Sequence, residues 1–155
     1  MAVKIKLDGL TKLASKLKSN RIQKGAAEVL IKAMKNDIGK GLSPVFREGR
    51  YKRYLNPKKY PGKLKGSRPV NLKLSGDMLK KLTFRTRSGQ PFEFGWFGGG
   101  LQSIKAGAHN EGVAEKNIAK RKMLPTKKGE RFNASIMRKL NNYYSKIIWD
   151  KIKKS

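Results

Sequence analysis

The spacing of apolar residues changes along the chain between a period of two, typical of a half-buried strand, and the spacing of an amphipathic helix. Residues 3–7 alternate apolar side chains with lysines and predict a first strand. Helical spacing follows in residues 10–17 and, over a longer stretch, in residues 21–38. We expect Asn20 to cap the longer helix and Gly39 to end it.

A second group of short elements is predicted in the middle of the chain. Alternation returns at residues 70–74, and residues 78–82 predict a short helix after a turn. Residues 82–86 and 92–96 alternate again on either side of residues 88–90, which read Ser-Gly-Gln. This arrangement predicts two antiparallel strands joined as a hairpin.

The remaining patterns complete the predicted architecture. Residues 101–110 fit a short helix or another strand, and residues 132–151 carry apolar side chains at helical spacing. Residues 45–69 show no sustained period and contain several glycines and prolines, which predicts a long loop. We therefore expect a single α+β domain spanning residues 1–155. A small curved antiparallel sheet would pack against a long N-terminal helix and a C-terminal helix, with a long basic loop.

The charge of the chain constrains its partners. The chain has 38 Lys and Arg against 10 Asp and Glu, a formal net charge of +28. Repulsion on this scale opposes compaction, so we expect DNA, RNA or an acidic protein surface to neutralise it. Of the 38 basic residues 28 are lysines, which contact phosphates as point charges, so any contact with nucleic acid should not depend on sequence. A lysine-rich genome would explain much of the same excess as solvated surface.

The basic character is concentrated in and after the predicted loop. From residue 50 to residue 87 the chain has 13 basic residues and one acid. Tyrosines interleaved with cations suit stacking on bases and contact with phosphates. The alternative, which we favour, is that the tyrosines anchor the loop to its own core or to a neighbouring subunit. The residues assigned to this interface or DNA-facing loop are Tyr51, Lys52, Arg53, Tyr54, Lys58, Lys59, Tyr60, Lys63, Lys65 and Arg68.

The sequence offers few candidates for catalysis or metal binding. The absence of cysteine excludes disulfides and, with a single histidine, the usual Cys/His zinc sites. His109 and Glu111 match part of a zinc deaminase signature, but its Pro-Cys-x-x-Cys element is missing. A triad of Ser103, His109 and Asp77, or a nuclease site of His109, Glu111 and Lys105, depends on residue types alone. We expect a packed or hydrogen-bonding His109, no catalytic residue, no metal and no cofactor.

Three motifs follow one another in the order Leu-Ser-Gly-Asp-Met-Leu, His-Asn-Glu-Gly and Met-Leu-Pro. With the start of the chain and its long helix, they resemble the neck and tail-completion proteins of tailed phages, also called phage virion morphogenesis proteins. The resemblance extends in order and spacing along nearly the whole chain. The motif residues are Leu74, Ser75, Gly76, Asp77, Met78, Leu79, His109, Asn110, Glu111, Gly112, Met123, Leu124 and Pro125.

The resemblance implies a structural head–tail connector, without enzymatic activity, that forms a ring joining the portal-side connector to the tail of a virion. It implies a homo-oligomer, hexameric or matched to portal symmetry, whose partners are other phage neck, portal-side and tail proteins, with DNA in the channel as a further candidate. The first 17 residues contain no uninterrupted apolar stretch, so we expect neither a signal peptide nor a membrane span. Synthesis in the host bacterial cytoplasm and location at the head–tail junction are expected. The alternative is a non-sequence-specific nucleic-acid-binding protein, which the net charge favours.

Overall fold

The computed structural model describes residues 19–51, 77–86, 92–116 and 118–153. These residues form four α-helices, a short 3₁₀ helix and a two-stranded antiparallel sheet, so the predicted α+β class is confirmed. Several predicted features lie outside the described residues, namely the strand at residues 3–7, the helical spacing at 10–17, the alternation at 70–74, the turn at 88–90 and most of the loop at 45–69.

Helix α1 spans Asn20–Gly39. Ser19, with extended backbone angles (φ −61°, ψ 142°), occupies the N-cap position and makes no capping side-chain hydrogen bond. The prediction that Asn20 caps this helix was wrong by one residue, because the N–H of Gln23 already bonds the Ser19 carbonyl at 3.0 Å. At the other end Gly41 has a φ of 74°, in the left-handed region that glycine tolerates, and the helix stops as predicted.

Helix α2, Asp77–Lys80, leads into the sheet. Strands β1, Thr83–Arg85, and β2, Glu93–Gly95, pair antiparallel, with Phe84 opposite Phe94. Directly opposed residues place their side chains on one face, so the two rings lie together on the half-buried side. The predicted short helix and the predicted antiparallel pairing of the two strands are confirmed.

Helix α3 spans Leu101–Glu111, which decides between helix and strand for residues 101–110. A 3₁₀ helix at Ala114–Lys116 follows, and helix α4, Ala134–Ile152, confirms the predicted C-terminal helix. Among the described side chains of α4, only Ile136 is fully buried, and the other predicted stripe residues, from Leu140 to Ile148, are half-buried.

Helices α1 and α4 pack side by side and run in opposite directions. The Tyr143 hydroxyl donates to the Ile22 carbonyl at 3.2 Å near the start of α1, and it occupies the space that a side chain at Gly25 would need. Near the end of α1, the Asn133 amide just before α4 donates to the Asp37 carboxylate at 2.8 Å. The two contacts fix the register of the helix pair from end to end.

The core consists of two adjoining clusters. The sheet packs into the larger one, between α1 and α4, and Trp96 contacts both. The larger cluster contains Leu30, Ile31, Ala33, Met34, Leu82 and Ile136, and the smaller contains Ile38, Tyr51, Met78, Leu79, Ala106 and Met123. In the part of the chain that the structure describes, no helix is both long and apolar enough to cross a membrane.

Candidate functional site

The second and third motifs come together at Asn110. This residue lies in the last turn of α3, only 4% exposed, and its Oδ1 accepts the backbone N–H groups of Met123 (2.7 Å) and Leu124 (2.8 Å). Its amide nitrogen donates to Glu111 Oε1 at 2.7 Å. One buried side chain therefore holds the Met-Leu-Pro segment against α3 by satisfying backbone groups that form no helix or sheet.

The turn at Gly112 makes this arrangement possible. Gly112 ends α3 with a φ of 79°, and its N–H bonds the Ala108 carbonyl at 2.9 Å. A Cβ at this position would lie 2.9 Å from the backbone nitrogen of Lys120, so the returning chain passes too close for a side chain. The N–H of Arg121 then bonds the His109 carbonyl at 2.6 Å, which brings the returning segment alongside the end of α3.

A buried lysine lies behind the motif. The Lys122 side chain is fully buried, and its Nζ donates to Glu111 Oε1 (2.9 Å) and Thr126 Oγ1 (2.8 Å) and forms an ion pair with Glu130 (3.2 Å). Thr126 also donates its hydroxyl to Glu111 at 2.9 Å. Two carboxylates and one hydroxyl thus surround the ammonium group, as a buried cation requires.

The electrostatics of this cluster favour its charged form. Burial by itself lowers the pKa of Lys122, but the hydrogen bonds and charges of Glu111 and Glu130 outweigh it and raise that pKa overall. Hydrogen bonds from Lys122 and Thr126 lower the pKa of Glu111 to about 2. The Lys127 backbone N–H, followed by the Lys122 ammonium, lowers the pKa of Glu130. The cluster therefore stays ionised at neutral pH.

The same segment is tied to the chain that follows α1. The Lys122 carbonyl accepts the hydroxyls of Ser43 (2.6 Å) and Tyr51 (3.4 Å), and Val45 pairs with Phe132 in an isolated bridge. Tyr51 is only 9% exposed, and burial, helped by the negative charge of Asp37, raises its pKa well above the usual range. Tyr51 therefore anchors the start of the loop to the core, as the favoured alternative for the loop tyrosines predicted, and its ring is not exposed for stacking on bases.

The other residues assigned to that surface lie outside the described part of the chain. They are Lys52, Arg53, Tyr54, Lys58, Lys59, Tyr60, Lys63, Lys65 and Arg68. Of the first motif, Leu74, Ser75 and Gly76 also lie outside it, whereas Asp77 begins α2 and Met78 and Leu79 are buried in the smaller cluster.

His109 is a half-buried residue whose Nδ1 lies 3.5 Å from Arg121 Nη1. Burial, with a smaller effect of the Arg121 charge, lowers the pKa of His109 to about 4, so the ring is neutral at physiological pH. This environment agrees with the expectation of a packed, hydrogen-bonding histidine.

The residues considered for a catalytic triad or a metal site contact other groups instead of one another. The Ser103 hydroxyl donates to the Trp96 carbonyl at 3.3 Å, Asp77 pairs with Lys80 at 3.7 Å, and Glu111 binds Lys122. Among the described residues, no three His, Cys, Asp or Glu side chains are arranged to hold a metal ion.

Sequence reasoning missed the most buried polar group of this cluster. Lys122 is one of 28 lysines, and nothing in its local pattern distinguishes a buried ammonium from a solvated one. In the structure, the Glu130 carboxylate accepts the N–H groups of Thr126 (2.8 Å) and Lys127 (3.0 Å) in a turn that contains Gly129. Glu130 is thereby held beside Lys122.

Comparison with known proteins finds no family model, no curated protein and no solved structure that matches this chain. The resemblance to phage neck proteins therefore depends on the motif residues alone.

Proposed function

We propose that this protein is a structural, non-enzymatic head–tail connector, a neck or tail-completion protein that forms a ring in the virion of a tailed phage. Its place would be the head–tail junction, between the portal-side connector and the tail, after synthesis in the cytoplasm of the host. The proposal begins from the resemblance of the three motifs.

The observation that carries the proposal is the joining of the second and third motifs into one unit. His109–Gly112 and Met123–Pro125 are separated in sequence, yet Asn110 bonds the backbone of the third motif directly. Motifs that contact each other in this way support a common structural role. The polar groups of Glu111, Lys122 and Thr126 bond one another, an arrangement that favours rigidity and leaves little capacity for binding a substrate.

Cryo-electron microscopy of purified particles of the encoding phage tests the proposal. We expect a ring of this chain at the head–tail junction and, by native mass spectrometry, an oligomer of the purified protein. A protein that is strictly monomeric and absent from particles would refute it.

Nucleic-acid binding is the second candidate, and the net charge of +28 favours it. A chain that functions in this way should bind unrelated DNA sequences equally, with an affinity that falls steeply as salt increases. Fluorescence anisotropy with two unrelated duplexes measures both properties. Copurification with particles in a fixed ratio to tail proteins would favour the connector over this alternative.

A further inference from the structure

Two exposed apolar patches distinguish the described surface of this highly charged chain. The first lies on α3, where Leu101 is 62% exposed and Ile104 is 64% exposed. The second lies at the end of α4, where Trp149 is 61% exposed and Ile152, one turn later, is 54% exposed. Large apolar side chains grouped on the surface of a soluble domain commonly mark a contact with another protein.

The α3 patch borders a cavity of about 300 Å³. The Trp96 indole in its wall is held in place because Nε1 donates to the Met78 carbonyl at 2.6 Å. The Phe97 ring is covered on one side by the Arg85 guanidinium, 4.1 Å from its centroid. The residues that line the cavity are Lys81, Thr83, Trp96, Phe97, Gly100, Leu101, Gln102 and Ser103.

This lining specifies the chemistry of an occupant. Fixed aromatic walls favour a flat aromatic ring packed edge to face, and the Lys81 ammonium attracts the negative face of such a ring. A cationic side chain would be repelled by Lys81 and Arg85. Among the exposed large apolar side chains of the described residues, Trp149 is the aromatic one.

Trp149 cannot reach the cavity of its own chain. Helix α1 has 20 residues and is therefore about 30 Å long. Tyr143 contacts α1 at Ile22, and Trp149 lies further along α4, beyond that end. Helix α3 packs near the opposite end of α1, where Ala106 shares a cluster with Ile38. The two patches are thus well separated along the axis of α1, with Trp149 beyond its first residue and the cavity toward its second half.

We propose that Trp149 of one copy inserts into the cavity beside Leu101 of the next copy. Two different patches that meet in this way form a head-to-tail contact, which builds a closed ring when the rotation between copies closes. The inference depends on the proposed connector function, because it identifies the contact by which the ring assembles.

Substitution of Trp149 tests the contact on the full chain by native mass spectrometry over a range of concentrations. Trp149→Ala should raise the concentration for half-assembly at least about tenfold, as loss of a central aromatic anchor does. Leu101→Ser, on the opposite patch, should act in the same direction, and the double variant should be little worse than either single variant. Met137→Ala, at an apolar α4 position that is 39% exposed and about three turns before Trp149, is the matched control and should assemble normally.

Cysteine crosslinking gives an independent result, since the natural chain has no cysteine. Under oxidation, a chain that carries both Gln102→Cys and Ile152→Cys should form a ladder of dimers, trimers and larger species. A mixture of the two single variants should stop at dimers. Normal assembly of Trp149→Ala without a ladder would overturn this contact and leave the ring intact. A wild-type chain that stays monomeric at every concentration, with no ladder from the double variant, would overturn both proposals.

Discussion

Replacing Asn110 by alanine is the sharpest test of the unit that joins the two motifs. The substitution removes the acceptor for two backbone donors, the N–H groups of Met123 at 2.7 Å and Leu124 at 2.8 Å. It also removes the amide that donates to Glu111. Among the described residues, Asn110 Oδ1 is the side-chain acceptor for both of these peptide groups.

The magnitude follows from the burial of the two donors. A buried donor left without an acceptor costs about 1–3 kcal/mol. Met123 is fully buried, so its N–H should incur most of this cost, whereas Leu124 is half-buried and water can reach it in part. We expect Asn110→Ala to lower the free energy of unfolding by about 2–4 kcal/mol. For a domain of this size that lowers Tm by roughly 5–15 °C.

Urea unfolding followed by circular dichroism and tryptophan fluorescence measures the loss. Asn110→Asp keeps an acceptor oxygen for both N–H groups, so it should retain much of the stability, although its carboxylate then repels Glu111. Asn142→Ala, at an exposed position of α4, is the matched control and should change the free energy by no more than about 0.5 kcal/mol. An Asn110→Ala variant as stable as this control would refute the structural role of the contact.

Three further predictions concern the same unit and the basic loop. Stability should fall as the pH drops from 6.5 to 4, because His109 binds a proton in the unfolded state before it does in the folded state. It should fall again toward pH 2, where Glu111 becomes protonated. When urea midpoints are measured against pH, His109→Gln should flatten the first decrease and Glu111→Gln the second. Gly112→Ala should destabilise the protein by about 1–3 kcal/mol because Gly112 has a positive φ and lies close to the Lys120 backbone. Gly107→Ala, at an exposed α3 position with open space around it, should instead stabilise the protein by about 0.5–1 kcal/mol. Thermal melts in which the two variants have similar Tm values would contradict this. A variant in which four lysines of the basic loop are replaced by serine should keep nearly the same Tm but give fewer infectious particles; the four are Lys58, Lys59, Lys63 and Lys65. A normal yield would mean that their charge has no role in assembly.

The helices and the hairpin were predictable because their signals are local. The alternating apolar residues around Phe84 and Phe94 predicted two paired strands, and in the structure these two residues lie directly opposite each other. The predicted N-cap, Asn20, was wrong by one residue, because the terminal residue of a helix is the part that sequence patterns define least well. Element type thus followed from periodicity, whereas one boundary did not.

The candidate site was predictable only in part, because its key contacts are tertiary. Tyr51 belongs by sequence to a basic loop, yet it is buried against Met78 and Ala106, residues brought there by the fold. Lys122 is buried because Glu111 and Glu130 arrive from two other segments. Side-chain identity alone cannot distinguish such a lysine from its solvated neighbours, since the turns at Gly112 and at residues 126–130 are what bring both carboxylates to it.

The contacts that the acidic residues make within one copy affect the charge repulsion between copies. Several of the 10 acids already have partners within the chain, which leaves few to offset the 38 cations of a neighbouring copy. They are Asp37 with Asn133, Glu48 with Lys120, Asp77 with Lys80, and Glu111 and Glu130 with Lys122. Copies that meet through apolar surface must therefore overcome repulsion between their positive charges.

This repulsion predicts opposite salt dependences for the two candidate functions. Salt screens like charges, with a Debye length of about 10 Å at 0.1 M and about 3 Å at 1 M, so assembly through Trp149 should strengthen as salt increases. DNA binding should weaken, by roughly 0.9 in log affinity per log unit of salt for each phosphate contact. Mass photometry of the DNA-free protein and anisotropy with a DNA duplex, both from 50 to 500 mM salt, measure the two trends. DNA-free oligomers that dissociate as salt increases would contradict an apolar contact, because they would depend on attraction between opposite charges.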